Sequence, residues 1–307
     1  MYNHKKTKIK PITDFTLLRI NMLAIILYIK ERFPVSSVLM FAFGFAALTL
    51  GLSSSGNIWA FNTQGSIINL FLLSSVFFFF LLRQRAIDEF RDSDHDLKYF
   101  PDRPVPRGLV SKKQVLYLGL FALAIEVISA YLVGQKVLGL YLFVFLYSLL
   151  MAKDFFIPRW LDKHFTTYFL IHEVIFLLFG MFFVVATSSQ IITFTSQTLI
   201  ILAILTFAPM SIEVLRKFKP RYDKAGKAVK DTYSTVWGRS NALLVLIGLS
   251  LTVGLGLTFL KQSYIFVLFS LLIVLVWITI GRKSDTGVIA IGAINFLGFA
   301  ILANIIW

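Results

Sequence analysis

Nine long apolar stretches, separated by short polar connections, run from residue 33 to the end of the chain. Each is about 17–25 residues long, the length that a helix needs to cross the hydrocarbon layer of a membrane. They are too evenly apolar for barrel strands, and backbone in lipid must satisfy its own hydrogen bonds, so we predict helices. The stretches span residues 33–53, 65–84, 114–133, 136–152, 165–187, 195–212, 241–260, 263–281 and 286–307. The predicted fold class is all-α, a polytopic bundle of nine transmembrane helices.

The segment before the first stretch has a different pattern. Residues 1–10 carry four lysines and no apolar run of the signal-peptide type. From Ile12 to Arg32, charged residues interrupt the apolar ones, which favours an amphipathic helix at the membrane interface. We therefore predict a basic tail with an interfacial helix over 1–32 and a single transmembrane domain over 33–307.

The charges of the connections give an independent test of this topology. The connections after the second, fourth, sixth and eighth stretches are rich in Arg and Lys, whereas the others hold one lysine or no charge. Basic loops lie on the cytoplasmic side of membrane proteins. The alternation therefore predicts a multi-pass integral membrane protein with a cytoplasmic amino terminus and an external carboxyl terminus.

Composition agrees with a membrane protein and narrows the chemistry. The 307 residues are 57% hydrophobic and 15% charged, far more apolar than a soluble domain. The net charge of +14 would suggest nucleic acid in a soluble protein, but the basic cytoplasmic loops explain it here, so we predict no nucleic-acid partner. The absence of cysteine excludes disulfides, thiolate metal sites and cysteine nucleophiles.

Acidic residues concentrate after the second stretch. Asp88, Asp92 and Asp96 recur every four residues, a spacing that keeps three carboxylates on one slowly drifting stripe of a helix, with Arg85 and Glu89 beside it. Like charges at this spacing repel. Such a stripe therefore indicates either a solvated face or a site for a hard cation.

A second acidic loop, residues 211–241, lies on the same predicted side of the membrane. It carries Glu213, Asp223 and Asp231 among basic residues. Two such loops can converge over one cavity, where carboxylate oxygens favour Mg²⁺ and neighbouring Arg and Lys supply donors for phosphate. The alternative interpretation of these acids is ordinary ion pairing in a loop.

The first acidic loop resembles a known signature. The pattern DExxDxxxD at 88–96, followed by RPxPxG at 103–108, resembles the first motif of the UbiA-type intramembrane prenyltransferases, in which Asn and Asp usually stand where Asp88 and Glu89 stand here. Members of that family are bundles of nine transmembrane helices with two aspartate-rich cytoplasmic loops. The second motif departs from the family, because Lys217 stands where an acid is expected.

The resemblance implies a function and a site. An allylic prenyl diphosphate would bind through Mg²⁺ and donate its prenyl group to an aromatic or other lipophilic acceptor in the membrane lipid, with the active site toward the cytoplasmic face. The implied metal ligands are Asp88, Glu89, Asp92, Asp96, Glu213 and Asp223, of which all but Glu89 are also the implied catalytic residues. The implied diphosphate-binding residues are Arg85, Arg103, Lys153 and Arg216.

Other functions remain open from the sequence. The same ionisation of a prenyl diphosphate could end in cyclisation, as in a UbiA-type terpene cyclase. A secondary transporter would also have many spans, but it predicts charges near the middle of the membrane, whereas we expect the charges here in loops. A scaffold without catalysis would explain the hydrophobicity but not the spaced acids. Within the fifth stretch, His172 and Glu173 are ionisable and therefore candidates for function.

Overall fold

The computed structural model describes residues 14–52, 64–187, 194–223, 225–280 and 284–306. Its helices are α1 Asp14–Arg32, α2 Val35–Leu52, α3 Gln64–Arg91, α4 Ser93–Tyr99, α5 Lys112–Val133, α6 Gln135–Ala152, α7 Pro158–Leu161, α8 Phe165–Thr187, α9 Ser196–Arg216, α10 Tyr233–Val236, α11 Arg239–Lys261, α12 Ile265–Ile280 and α13 Asp285–Ile305. A 3-10 turn covers Asp154–Phe156. The two short strands β1 Arg221–Tyr222 and β2 Ala228–Val229 pair antiparallel, with Arg221 opposite Val229.

Every predicted apolar stretch coincides with one of these helices, so the prediction of an all-α polytopic membrane protein is confirmed. Within the residues that the structure describes, seven helices are long and apolar enough to cross a membrane, and α6 and α12 contain shorter apolar stretches. The count of nine spans therefore stays a prediction. The largest difference from the predicted bounds is in α3, which continues beyond residue 84 to Arg91. The first acids of the cluster thus stand on a membrane helix and not in a loop.

Helix α1 lies where the sequence predicts an interfacial helix. Its Met22, Leu23, Ile26 and Leu27 side chains are exposed, whereas Tyr28 is buried against a small cluster of apolar side chains. A helix with one apolar face left uncovered is suited to lie against lipid. The position of α1 relative to a membrane, and the division of the chain at residue 32, stay predictions.

Phenylalanine dominates the interior of the bundle. Phe45, Phe77, Phe179 and Phe183 are fully buried and join α2, α3 and α8 through tilted and edge-to-face ring contacts, such as the 5.0 Å between the Phe77 and Phe179 centroids. Glycine permits close contact elsewhere: a Cβ at Gly292 of α13 would lie 2.1 Å from a methyl group of Leu215. Small residues at such crossings are typical of helix packing in membranes.

The ion pair between Arg83 and Glu126 lies inside the bundle, which corrects the expectation that charges are confined to loops. Arg83 of α3 donates from Nε and Nη2 to Glu126 of α5 at 2.7 and 3.0 Å, and from Nη1 to Ser148 of α6 at 2.9 Å. Tyr141 donates to the same carboxylate at 2.7 Å. Both charged groups are buried, and each nitrogen of Arg83 and each carboxylate oxygen of Glu126 has a partner, so this cluster joins α3, α5 and α6.

Candidate active site

A cavity of about 580 Å³ lies between α2, α3, α8, α9 and α13. Its polar end is formed by the carboxyl-terminal ends of α3 and α9, and its remaining walls are largely apolar. The aromatic side chains that line it are Phe33, Phe41, Phe80, Tyr168, Phe169, Phe176, Tyr233 and Phe296. The cavity therefore joins an ionic end to an aromatic interior.

Asp88 and Asp92 line the polar end of this cavity. Helix α3 ends at Arg91, but the backbone hydrogen bonds from Asp92 N to Asp88 O and from Asp96 N to Asp92 O, both 2.8 Å, continue the i to i+4 pattern into α4. This continuity keeps Asp88 and Asp92 one above the other. Arg91 lies between them and contacts both carboxylates at 2.9 Å.

Glu89 and Asp96, the other two acids of the cluster, are turned toward α1 and do not line the cavity. Arg32 joins them, with Nε 2.8 Å from Glu89 and Nη2 3.2 Å from Asp96, and Arg103 also donates to Asp96. Burial favours a higher pKa for Asp96, but a hydrogen bond from His95 and the charges of Arg103 and Arg32 lower it. The predicted four-acid ligand set is thus divided into two acids that line the cavity and two acids that pair with Arg32 on the side of α1.

From the second acidic loop, Glu213 reaches the same cavity. Its carboxylate accepts two hydrogen bonds from Arg216, at 2.7 and 2.8 Å, and one from the Tyr233 hydroxyl at 3.4 Å, and Lys217 Nζ lies 3.4 Å away. Burial lowers the pKa of Lys217, while the adjacent Glu213 carboxylate opposes this shift. Acids from both predicted loops therefore converge on one cavity.

Asp223 and Asp231 lie elsewhere. The Asp223 carboxylate accepts from the backbone N–H groups of Ala225 and Lys227, both at 2.9 Å, and so shapes the turn between β1 and β2. It borders a separate surface depression of about 380 Å³. Asp231 pairs with Arg221 at 3.0 Å. Neither residue lines the cavity beside Glu213, because Asp223 lies in the turn after β1 and Asp231 follows β2.

Of the four predicted diphosphate-binding cations, three line the cavity: Arg85, Arg103 and Arg216. Lys153 is exposed and does not line it. Four further cations line the cavity that the sequence analysis did not assign to the diphosphate site: Arg32, Arg91, Lys217 and Arg221. For two of them the sequence spacing indicated an ion pair with a predicted site acid. Arg91 follows Asp88 by three residues, and Lys217 follows Glu213 by four.

The cavity residues fit a hard cation together with an anionic ligand. Seven cationic side chains line the cavity against four acidic ones, Asp88, Asp92, Glu173 and Glu213. Four buried polar atoms of lining residues have no hydrogen-bond partner: Gln84 Oε1, Arg85 Nε, His172 Nε2 and Glu173 Oε2. Among the residues that the structure describes, no three acidic or histidine side chains converge closely enough to hold a metal ion. Mg²⁺ is commonly held by one or two carboxylates plus phosphate oxygens, so the oxygen donors here suit Mg²⁺ bound jointly with a phosphorylated ligand.

Comparison with known protein families decides the assignment. The family model described as "UbiA prenyltransferase family" matches residues 60–287, which run from before α3 to the start of α13 and include both acidic loops. This chain belongs to the UbiA prenyltransferase family. UbiA membership confirms the family resemblance of the sequence and identifies the chain, at the level of the family, as an intramembrane prenyltransferase.

Solved structures agree with this UbiA fold. The structure described as "Apo structure of a UbiA homolog from Aeropyrum pernix K1" superimposes with a TM-score of 0.56 and 15% identity, covering 88% of this chain and 96% of that one. A second, described as "Structural and mechanistic insights into the biosynthesis of Digeranylgeranylglyceryl phosphate synthase in membranes", gives a TM-score of 0.53 and 14% identity, covering 92% and 98%. At these identities the similarity shows the fold. No curated protein matches the sequence.

Proposed function

We propose that this UbiA protein is a Mg²⁺-dependent prenyltransferase that binds an allylic prenyl diphosphate in the 580 Å³ cavity and transfers its prenyl group to a lipophilic acceptor. The diphosphate occupies the end formed by α3 and α9, and the prenyl chain lies along the aromatic walls. With the predicted topology, this ionic end opens toward the cytoplasmic face.

One observation supports the proposal above the others: the same cavity combines an excess of cationic side chains with an aromatic interior. A prenyl diphosphate has this division, with a strongly anionic head on an apolar chain. The unpartnered Nε of Arg85 is a buried donor at the ionic end. Donors to charged oxygens form stronger hydrogen bonds than donors to neutral ones, so an anion is the best occupant.

Ionisation of the donor is the step that these residues serve. When the prenyl C1–O bond breaks, its electron pair leaves with the diphosphate, and Arg85, Arg91 and Arg216 hold positive charge where this negative charge develops. The remaining allylic cation needs walls that stabilise it without attacking it. The faces of Phe80, Phe169 and Phe176 are of this kind.

Asp88, Asp92 and Glu213 are the residues that would hold Mg²⁺ here, because they are the predicted ligands that line the cavity. A bound Mg²⁺ would supply further neutralisation of the leaving diphosphate. Glu89 and Asp96 act indirectly in this arrangement, because they hold Arg32 and Arg103 beside the cavity. Asp223 belongs to the hairpin turn.

The test compares the thermal stability of detergent-purified protein alone, with Mg²⁺, with geranylgeranyl or farnesyl diphosphate, and with both. A ligand that binds the folded state raises the apparent melting temperature by linkage. We expect stabilisation when metal and donor are combined. Asp92→Ala should lose this stabilisation and reduce diphosphate release by about 10²-fold or more, the magnitude typical of a removed electrostatic contact to developing charge.

Asp94→Ala is the matched control, because Asp94 lies two residues further along the chain and is exposed outside the cavity. The control should behave like the unmodified protein in both measurements. Donor-dependent stabilisation that survives in Asp92→Ala, or that is absent from the unmodified protein with either donor, would contradict the proposal. Chromatography of the products distinguishes transfer from cyclisation of the same donor.

A further inference from the structure

His172 of α8 lines the cavity, and one of its ring nitrogens has no partner. Its Nδ1 lies 2.8 Å from the carbonyl oxygen of Tyr168. A carbonyl oxygen only accepts hydrogen bonds, so we assign the proton to Nδ1, and the neutral ring then has a lone pair at Nε2. His172 is 8% exposed, and Nε2 is buried without a hydrogen-bond partner. The cavity wall thus contains a proton acceptor that the donor site does not use.

A carboxylate lies on the other side of this nitrogen. Asp154 Oδ1 is 4.0 Å from His172 Nε2 and is likewise buried without a hydrogen-bond partner. This separation is too long for a direct hydrogen bond. At this spacing a water molecule between the two groups can donate a hydrogen bond to each, and a hydroxyl group in its place can donate to one of them. Two adjacent unsatisfied polar atoms therefore indicate a place for such an oxygen.

The backbone that carries Asp154 is strained. Asp154, Phe155 and Phe156 have consecutive positive φ angles of 44°, 52° and 61°, a conformation that costs about 1–2 kcal/mol for each residue with a side chain. Such strain persists where the surroundings enforce it and is concentrated at functional sites. The turn also places the Phe155 ring edge-to-face against His172, while the Tyr168 ring lies 3.9 Å from it. The imidazole is therefore held from two sides.

We propose that His172 is the base on the acceptor side of the cavity and that the acceptor carries a hydroxyl group that donates to Nε2. This inference rests on the proposed function. In the transfer step an electron pair of the acceptor forms the bond to prenyl C1, the C1–O pair leaves on diphosphate, and the hydroxyl proton passes to Nε2. Asp154 is a positioning residue, whose negative charge favours the imidazolium that results.

The charged groups near His172 place it at one end of the cavity. Besides Asp154, the groups that interact electrostatically with it include Arg91 from α3 and Glu213 and Lys217 from the end of α9. These are also residues of the ionic end, so the imidazole is near the place where the diphosphate would lie. A base near the ionic end can therefore take a proton from an acceptor whose nucleophilic atom reaches prenyl C1.

The test uses His172→Gln and a matched control, His164→Gln. His164 has the same local arrangement, with Nδ1 2.8 Å from the Trp160 carbonyl oxygen and the ring stacked on Trp160, but it is exposed outside the cavity. Each protein is incubated with Mg²⁺, geranylgeranyl or farnesyl diphosphate, and one of two acceptor probes, 1-naphthol or its methyl ether 1-methoxynaphthalene. Prenylated product and diphosphate release are measured separately.

We expect transfer to the phenol to exceed transfer to the ether, and His172→Gln to lower phenol transfer by about 10²-fold, the usual contribution of general-base catalysis. Donor-dependent stabilisation, and diphosphate release without an acceptor, should stay near the unmodified values. His164→Gln should change neither. Equal use of phenol and ether, or unchanged phenol transfer in His172→Gln, would overturn the inference. Absence of diphosphate release from the unmodified protein would instead contradict the proposed function.

A second measurement uses the unmodified protein, so it does not depend on whether a variant folds. The chain has four histidines, so ¹⁵N-histidine labelling gives a simple spectrum. Addition of 1-naphthol should shift the Nε2 signal of the ring that is protonated at Nδ1 and buried, and addition of the ether should not. No difference between the two probes would count against the inference.

Asp154→Asn should lower transfer severalfold and move the acid limb of the pH–rate profile to lower pH, which a purely structural role would not do.

Discussion

Two arginines of α3, Arg83 and Arg85, are separated by one residue and have opposite surroundings. Two positions along a helix correspond to a rotation of about 200°, so the side chains leave opposite faces. Arg83 faces α5 and α6, where Glu126 and Ser148 satisfy its Nε and both terminal nitrogens. Arg85 faces the cavity, where it contacts Glu89 and Asp88 but its buried Nε has no partner.

The difference separates a structural ion pair from a binding site on one helix. In the Arg83–Glu126 pair every nitrogen and every carboxylate oxygen has a partner, so the pair joins helices. A buried donor without a hydrogen-bond partner is costly unless a ligand satisfies it. For these two arginines the unsatisfied atom therefore distinguishes the residue at the cavity from the residue of the scaffold, which charge alone does not.

Breaking the structural pair should give the largest effect. Glu126→Gln leaves the Arg83 charge buried without its counter-ion, and removal of one partner of such a pair costs about 3–5 kcal/mol. The free energy of unfolding in mixed micelles should fall by this amount, while donor affinity of the folded fraction should be unchanged. The double variant Arg83→Met, Glu126→Leu should recover most of the loss. A double variant as unstable as Glu126→Gln would show that the ion pair has a role beyond joining the helices.

Removing the cavity arginine should affect binding more than folding. Arg85→Met deletes the donor that we expect to contact the diphosphate, and a hydrogen bond to a charged group is worth about 1.5–3 kcal/mol, or about 10–150-fold in affinity. Titration with a non-reactive thiodiphosphate analogue of the donor measures this.

Arg107→Met is the control for Arg85→Met, because Arg107 pairs with Glu31 at 2.6 Å on the exposed surface and does not line the cavity. Its donor affinity should equal that of the unmodified protein. Equal donor affinity of Arg85→Met and Arg107→Met would remove Arg85 from the diphosphate site.

A smaller effect, on the order of 1 kcal/mol, is expected at Asp96, which is paired outside the cavity. Since the pKa of Asp96 is lowered in the folded protein, its contribution to stability is present above the unfolded pKa of about 3.9 and is lost as the pH falls through the folded pKa. The stability difference between the unmodified protein and Asp96→Asn should therefore be constant from pH 7 to 5 and shrink below pH 4. A difference that grows toward low pH would contradict the ion pairing described for Asp96.

The candidate site was partly predictable from local spacing. Asp88 and Asp92 could be placed together because one helical turn separates them, and they do line the same cavity. The same spacing included Asp96, but the side chain drifts around the helix axis with each turn, so Asp96 pairs with Arg32 and Arg103 instead. Glu89 was expected beside the aspartates, yet a rotation of 100° turns it toward α1.

The helices, the membrane class and the family could be predicted from the sequence, because long apolar stretches and the spacing of acids within one turn are local properties of the chain. Which charged groups meet across helices depends instead on the packing of the folded bundle. Glu126 and Arg83 are 43 residues apart, Arg32 and Glu89 are 57 apart, and no local pattern joins them. The placement of Asp154 beside His172 depends on a strained turn that no sequence pattern predicts. Contacts between distant segments depend on how side chains of the whole bundle pack together, so they appear only when the helices are assembled.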